Sequence, residues 1–308
     1  MNKICYIGDT HIGKRFKTGV PLDRLGEREE LIYKLFEEQL NQEADAIIHL
    51  GDLFDTPTVS YDDLMRTFKL IRKAAKRHPL CQYVFLAGNH DISKDTEKTC
   101  AFRVLSYLLN IQSNVTFVYG EAIYIYKLNM EVWPYVSYDR MRECLSGTRP
   151  TVADICCGHF DEPFPADIFD RFKEVHTGHI HIPKQVNNVT VHGSIIPMNF
   201  GEDPHGELYR TVTLEQFEEI INNPLDDQWQ DYCYRVILKE GEVLPEGVNC
   251  RQLISIKDDI IEASNFNEEV MFEESLDMEK LFHEALDSLG LFDQIYNKYL
   301  QLKLEQKD

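Results

Sequence analysis

The 308 residues carry 32 Lys+Arg against 52 Asp+Glu, a formal charge of −20, with 43% hydrophobic and 27% charged residues. This composition excludes a disordered chain, no apolar run reaches the ~18 residues of a membrane span, and the opening Met-Asn-Lys-Ile-Cys-Tyr-Ile-Gly-Asp has no secretory core. Eight cysteines scattered without a C-x-x-C pair read as reduced thiols of a cytoplasmic protein, and the acidity counts against a nucleic-acid partner until its distribution is considered.

Residues 3–8 read as a short buried strand. Between Glu27 and Gln42, the apolar residues Leu31, Ile32, Leu35, Phe36 and Leu40 recur at helical spacing. Asp45–Leu50 reads as a strand, Leu64–Ala75 as a helix, Gln82–Ala87 as a strand and Thr99–Leu109 as a helix. This alternation predicts an α/β layered fold with a largely parallel sheet. Beyond Asn110 the spacing changes, and Val115–Val118, Ala122–Leu128, Glu131–Tyr135, Asp154–Cys157, Glu174–Thr177 and Gln185–Val191 read as strands of a second sheet packed on the first. Turn residues cluster at Asn222-Asn223-Pro224 and place a boundary there. The expected domains are therefore 1–222, a small strand-containing piece at 223–275 with strands at Tyr232–Leu238 and Gln252–Lys257, and a helical end at 276–308. In that end Asp277–Ser288 and Leu291–Leu304 read as two helices around Gly290.

Five motifs follow in order, four of them where a predicted strand ends: Asp9-Thr10-His11, Gly51-Asp52-Leu53-Phe54-Asp55, Gly88-Asn89-His90-Asp91, Gly158-His159 and Gly178-His179-Ile180-His181. Side chains at i and i+2 of extended backbone project to one side, and clefts at the carboxyl ends of strands are where layered α/β folds hold ligands. Two carboxylates, an amide and four imidazoles form an oxygen/nitrogen set suited to Mn, Fe or Zn rather than Ca. Asp52 is the natural carboxylate to bridge two cations, and His90 stands beside the ligand candidate Asn89 to act on the same phosphate. Singly, each motif is common, and Gly-Asn-His-Asp could serve merely as a turn. All five in order make coincidence a poor explanation.

The pattern D-x-H, G-D-x-x-D, G-N-H-D/E, G-H and G-H-x-H resembles that of the calcineurin-like metallophosphoesterases. The residues Asp9-Thr10-His11-Ile12-Gly13, Gly51 to Asp55 and His192-Gly193-Ser194-Ile195-Ile196-Pro197-Met198-Asn199-Phe200-Gly201-Glu202 are similar to the SbcD nucleases, relatives of the meiotic recombination eleven nuclease. The likeness covers about residues 1–205, and the short C-terminal part is most like phage-encoded versions. It implies a four-layer α/β/β/α sandwich with a small C-terminal α+β appendage. It also implies two divalent cations, Mn²⁺ first and Mg²⁺ as the alternative, with no organic cofactor. One cation would be held by Asp9, His11, Asp52 and His181, the other by Asp52, Asn89, His159 and His179. His90 would stabilise or protonate the departing oxygen, with Asp55 orienting it; relatives with His at the Asp55 position make this a departure from part of the family. The implied activity is DNA exonuclease or single-strand endonuclease, as the SbcD-like subunit of a nuclease–ATPase complex in DNA repair, recombination or replication. The implied partners are DNA, an SbcC-type SMC-like ATPase and a second copy of the chain, docked through the helices near Leu64–Ala75 and Thr99–Leu109.

Lys14, Arg15 and Lys17 follow the first motif and are read as phosphate contacts, against the plainer reading of a solvated loop. The apolar residues Leu281, Phe282, Leu286, Leu289, Phe292, Ile295, Tyr296 and Tyr299 are read as an ATPase-docking surface, against simple packing on the main domain. His49 and His176 read as core residues, Trp133 and Tyr135 as core fillers, and His192 as a borderline cleft residue. Two other functions compete. One is a phosphomonoesterase or cyclic-nucleotide phosphodiesterase, which loses support because Thr56-Pro57 follows Asp55 where phosphatases carry Arg-Gly. The other is a non-catalytic scaffold, which the complete ligand set opposes. The charge divides unevenly: residues 1–200 hold 23 Lys+Arg and 26 Asp+Glu, a net of −3, and residues 201–308 hold 9 and 26, a net of −17. Nearly all the acidity thus lies outside the motif-bearing part, and the exclusion of nucleic acid narrows to the C-terminal third.

Overall fold

Ala46–His49 is buried at all four positions, as a strand covered on both faces must be, and the first sheet is built around it. The computed structural model describes residues 3–93, 98–146, 153–223 and 228–258. The first half holds β1 (Ile4–Ile7), α1 (Glu27–Leu40), β2 (Ala46–His49), α2 (Tyr61–Arg77), β3 (Gln82–Leu86), α3 (Ala101–Leu109) and β4 (Val115–Val118). It is followed by β5 (Ile123–Ile125), β6 (Met130–Val132), α4 (Tyr138–Ser146), β7 (Ile155–Gly158), α5 (Ala166–Phe169) and β8 (Glu174–Thr177). The remainder holds β9 (Lys184–Val186), β10 (Val189–Val191), β11 (Tyr209–Thr213), α6 (Leu214–Ile221), β12 (Cys233–Leu238) and β13 (Gln252–Lys257).

The first sheet has the order β1-β2-β3-β4 and is parallel throughout, in the register Ile4↔Ala46, Ala46↔Gln82 and Tyr83↔Val115. The second has the order β5-β6-β7-β8-β10-β9, with β6, β7, β8 and β10 parallel and the two outer strands antiparallel. Parallel strands end at one edge, so Gly8-Asp9, Gly51-Asp52, Gly88-Asn89, His159 and Gly178-His179 all emerge at carboxyl ends. A third sheet has the order β11-β12-β13; its strands come from both sides of residue 222.

Alternation along each strand sorts the apolar residues into three clusters. Ile7, Ile47, Tyr83 and Phe85 pack with Phe36, Ile71 and Phe102 of α1, α2 and α3. The opposite face of the same strands, Ile48, Val84 and Leu86, packs with Met130, Val132 and Cys157 of β6 and β7. Cys156, Val175 and Val189 face the other way and pack with Met141, Ile168 and Phe169. Helix α2 begins at Ser60, whose hydroxyl accepts the Asp63 N–H, and it places Asp62 and Asp63 in its first turn and Lys76 and Arg77 in its last, as the helix dipole favours.

The expected single strand at 185–191 is instead a hairpin. Asn187 takes φ 52°, and Val186 pairs with Val189 across a two-residue turn, a conformation that Asn adopts at little cost. The expected strand 122–128 ends early in a 3-10 turn over Tyr126–Leu128. The expected helices at 277–288 and 291–304 lie outside the described residues. The chain divides into two units, Met1–Val236 with Pro245–Ile254, and Ile237–Leu244 with Ser255–Asp308; every motif residue lies in the first. All eight cysteines are free thiols, and no helix among the described residues is long and apolar enough to cross a membrane.

Asp203 closes the loop that leads from the last motif segment into β11. Its carboxylate accepts the N–H groups of Glu207 (3.0 Å), Leu208 (2.7 Å) and Tyr209 (2.7 Å). Substituting Asp203→Ala leaves those donors unpaired and is expected to lower stability by about 2 kcal/mol, read from the urea unfolding midpoint. A change within experimental error would show that water replaces the carboxylate.

Candidate metal centre

The carboxyl edges of the two main sheets are tied to each other directly. Asp9 N–H donates to the Gly193 carbonyl (3.2 Å) and Ile195 N–H to the Asp9 carbonyl (2.8 Å). His159 Nδ1–H donates to the Leu50 carbonyl at 2.8 Å. Glycines let these loops approach: a side chain at Gly88 would collide with the Asp52 carboxylate and backbone, and one at Gly51 (φ +103°) with the His159 ring.

Among the described residues, three groups of side chains offer ligand atoms within 4.8 Å of one another: Asp9, His11 and His181; His11, Asp52 and His90; and Asp52, His159 and His179. Asn89 joins the last group, its Oδ1 lying 2.9 Å from His159 Nε2 and 3.0 Å from His179 Nδ1. The structure thus brings together all seven ligand candidates, with His90 beside them. Asp52 belongs to two of the groups, at 3.7 Å from His11 Nε2 and 3.4 Å from His159 Nε2. Its other oxygen accepts the His90 N–H at 2.8 Å.

The chemistry of this donor set fits divalent cations. A carbonyl only accepts, so His159 carries a proton on Nδ1 and directs Nε2, the nitrogen a cation would take, at Asp52, Asn89 Oδ1 and His179 Nδ1, the last at 3.3 Å. On the other side His11 Nε2 and His181 Nε2 meet at 3.0 Å, with Asp9 Oδ2 3.5 Å from the latter. The far nitrogens face oxygens: His11 Nδ1 lies 3.2 Å from Asp55, His181 Nδ1 3.0 Å from Glu202 and His179 Nε2 2.9 Å from Asp161. Such outer partners aim imidazole lone pairs at a metal.

Electrostatics agree with the geometry. Burial opposes charging His181, yet its bonds to Asp9 and Glu202 push it up to about 10. Burial likewise opposes charging His159, but Asp52 and Asp9 push it up to about 9. Burial alone would raise Asp52, while His159, His11 and the His90 N–H hold it well below the usual carboxylate range. His11 (φ 46°), Asp52 (φ 50°) and His179 (φ 76°) adopt left-handed backbone that non-glycine residues disfavour.

Asp55 corrects an expectation. The imidazole of His90 is oriented by the backbone carbonyl of Asp55, which accepts Nδ1–H at 2.7 Å, and not by the carboxylate. That carboxylate instead meets His11 Nδ1 (3.2 Å) and Lys14 Nζ (3.3 Å), two groups that can donate to it. Lys14 is thereby paired, and Arg15 lies 2.5 Å from Asp63; Lys17 is exposed and forms no ion pair among the described residues. His192 faces His176 (2.9 Å) beside Tyr6 rather than the converging nitrogens. His49 is buried against Thr10 (3.1 Å), as a core histidine should be. Tyr135 is not simply core: it walls the centre, with its ring centroid 5.9 Å from that of His179. The eight apolar residues from Leu281 to Tyr299 lie outside the described residues.

The sequence reading missed Asp91 and Asp161 as contributors. Asp91 is fully buried and accepts the N–H groups of Leu53 (3.1 Å), Phe54 (2.9 Å) and Gly88 (2.9 Å), pinning the second motif to the third. Burial and the charge of Asp52 push it up to about 7 against those bonds. Its place in Gly88-Asn89-His90-Asp91 was the available signal.

A family profile described as calcineurin-like phosphoesterase matches residues 2–183. The DNA double-strand break repair protein Mre11 of Saccharolobus solfataricus is 30% identical over 159 residues, covering 49% of this chain and 38% of that protein. The alignment thus spans well under half of that relative's length.

In the metal-free protein His159 and His181 hold pKa values above the ordinary 6.5, so their pairing contributes stability that is complete below about pH 6.5 and lost as pH rises through 9 to 10. A cation taking the same nitrogens displaces those protons. Mn²⁺ binding near pH 7 is expected to release about two protons and to tighten as pH rises, measured by calorimetry in buffers of different ionisation enthalpy. Binding without proton release would contradict the assignment. Gly88→Ala is expected to abolish Mn²⁺ binding while leaving the circular dichroism spectrum in place; unaltered binding would show that the Asp52 loop can yield.

Proposed function

The chain belongs to the calcineurin-like phosphoesterases, and from that premise we propose that it is a two-metal DNA nuclease. Metal-dependent hydrolysis of a phosphate ester follows from the family and the His/Asp constellation. The observation that carries the narrower step to DNA is the 30% identity to Mre11, a DNA double-strand break repair protein. The even charge of residues 1–200, a net of −3, leaves the motif-bearing part free to approach a polyanion. The three apolar clusters support the reading as a four-layer α/β/β/α sandwich.

Asp9, His11, Asp52 and His181 would hold one cation and Asp52, Asn89, His159 and His179 the other, with Mn²⁺ as the first candidate. When bound, they supply a polarised phosphoryl oxygen and water activated near neutral pH. The chain's own residues then orient and protonate. Glu202 and the Leu50 carbonyl hold the His181 and His159 rings in one tautomer each. His90, its Nδ1–H anchored on the Asp55 carbonyl, would stabilise or protonate the departing oxygen through Nε2. Lys17, exposed next to Phe16, meets a neighbouring phosphate, while Lys14 and Arg15 brace the loop through Asp55 and Asp63.

The partner assignments are part of the same proposal. Tyr61 and Met65 of α2 and Tyr107 and Leu108 of α3 are exposed apolar side chains, which supports pairing of two copies through these helices. Docking of an SMC-like ATPase at 276–308 rests on the amphipathic sequence alone.

Labelled duplex and hairpin DNA incubated with Mn²⁺ is expected to be degraded, and Asp52→Ala to lose both activity and one or both metals. His90→Ala is expected to lower kcat by about a hundredfold with Mn²⁺ binding retained. Turnover of small phosphate esters with no cleavage of any DNA would overturn the nuclease reading and leave the phosphoesterase one.

A further inference from the structure

We propose that Asp161 is a positioning residue that fixes the ring of His179 and ties the metal centre to the first turn of α4. The proposal rests on the metal-centre reading given above. Asp161 lies two residues beyond His159, in a segment held from both sides. Val136 and Phe160 form a parallel bridge, and Val136 N–H donates to the His159 carbonyl at 3.3 Å. Phe160 N–H donates to Thr177 Oγ1 at 3.1 Å. The backbone is therefore set before the side chain makes any contact.

The carboxylate meets three groups. Oδ1 lies 2.9 Å from His179 Nε2. Oδ2 accepts the N–H of Tyr138, the first residue of α4, at 2.9 Å and the Tyr135 hydroxyl at 3.2 Å. A carboxylate can only accept, so Nε2 carries the ring proton and Nδ1 keeps its lone pair. That Nδ1 is the atom facing Asn89 Oδ1 at 3.0 Å and His159 Nε2 at 3.3 Å. Tyr135 is anchored in turn by its N–H on the Ala87 carbonyl (2.7 Å), two residues before Asn89. One carboxylate thus sets the tautomer of His179, orders the tyrosine that walls the ring and receives the start of α4. Loss of its charge frees the proton to move to Nδ1, the nitrogen the cation needs.

Capping α4 alone would be an adequate role for this residue, and Asn caps helices as well as Asp does. Asp161→Asn therefore separates the two roles. Metal-free wild-type protein and Asp161→Asn are titrated with Mn²⁺ by calorimetry, and the His179 tautomer is read from long-range ¹H–¹⁵N spectra of the metal-free wild type, with His179→Gln identifying its signals. The expected results are an unchanged melting temperature, one Mn²⁺ site weakened about 10–100-fold in Asp161→Asn, and a protonated Nε2 with bare Nδ1 in the wild type. Equal affinity of both sites in wild type and Asp161→Asn would overturn the proposal, as would a proton on Nδ1. The tautomer is read on the wild-type protein, so it decides even where Asp161→Asn disturbs folding. Wild-type protein that bound no Mn²⁺ would overturn the metal reading itself and the proposal with it, whereas two wild-type sites unaffected by Asp161→Asn would overturn the proposal alone.

Discussion

Lone pairs brought face to face repel unless something positive lies among them, and the rest of this structure depends on that repulsion being answered. His159 Nε2, His179 Nδ1 and Asn89 Oδ1 lie within 3.3 Å of one another, and Asp52 Oδ2 lies 3.4 Å from His159 Nε2. His11 Nε2 and His181 Nε2 meet at 3.0 Å beside Asp9. In the metal-free state protons supply the missing charge, which is why His159 and His181 are driven up to about 9 and 10. Cations supply it better, because one divalent ion accepts several lone pairs at once while a proton serves two.

Holding acceptors in this arrangement costs free energy, and the fold supplies it. Three of the candidate ligands stand in left-handed backbone, a strain of order 1–3 kcal/mol each. The strain is sustained by what surrounds it. The buried carboxylate of Asp91 gathers three backbone N–H groups from two motifs, and Asp9, fully buried, accepts the His179 N–H through both oxygens at 3.1 Å. Both main sheets present parallel strands, so the loops they end in converge without any long insertion. Rigidity of the centre is thus a property of two sheet edges locked together through backbone hydrogen bonds.

The candidate ligands were legible in the sequence because each sits within three residues of a glycine at a strand end, so local spacing carries the information. Asp161 was not legible: its partner His179 is 18 residues away, and nothing in Gly158-His159-Phe160-Asp161 marks the fourth residue. Glu202 stood in a resembling stretch, yet its bond to His181 is visible only in three dimensions. Asp55 shows the opposite failure, a residue placed correctly with its carboxylate assigned to the wrong histidine, since sequence specifies proximity and not side-chain direction. In the fold, parallel strands rich in buried aliphatics were plain. Helix α4 was not read, since Tyr138–Ser146 is mostly polar around the buried Met141. For α6 the signal was present and passed over: Thr213 and Gln216 form a capping box.

Whether two cations occupy the space among these lone pairs is the claim on which the whole account stands. Anomalous diffraction from crystals soaked in Mn²⁺, recorded on both sides of the manganese absorption edge, tests it without recourse to activity. The account predicts two anomalous peaks flanking the Asp52 carboxylate, one among Asp9, His11 and His181 and the other among Asn89, His159 and His179. A single peak, or none within reach of these side chains, would contradict it.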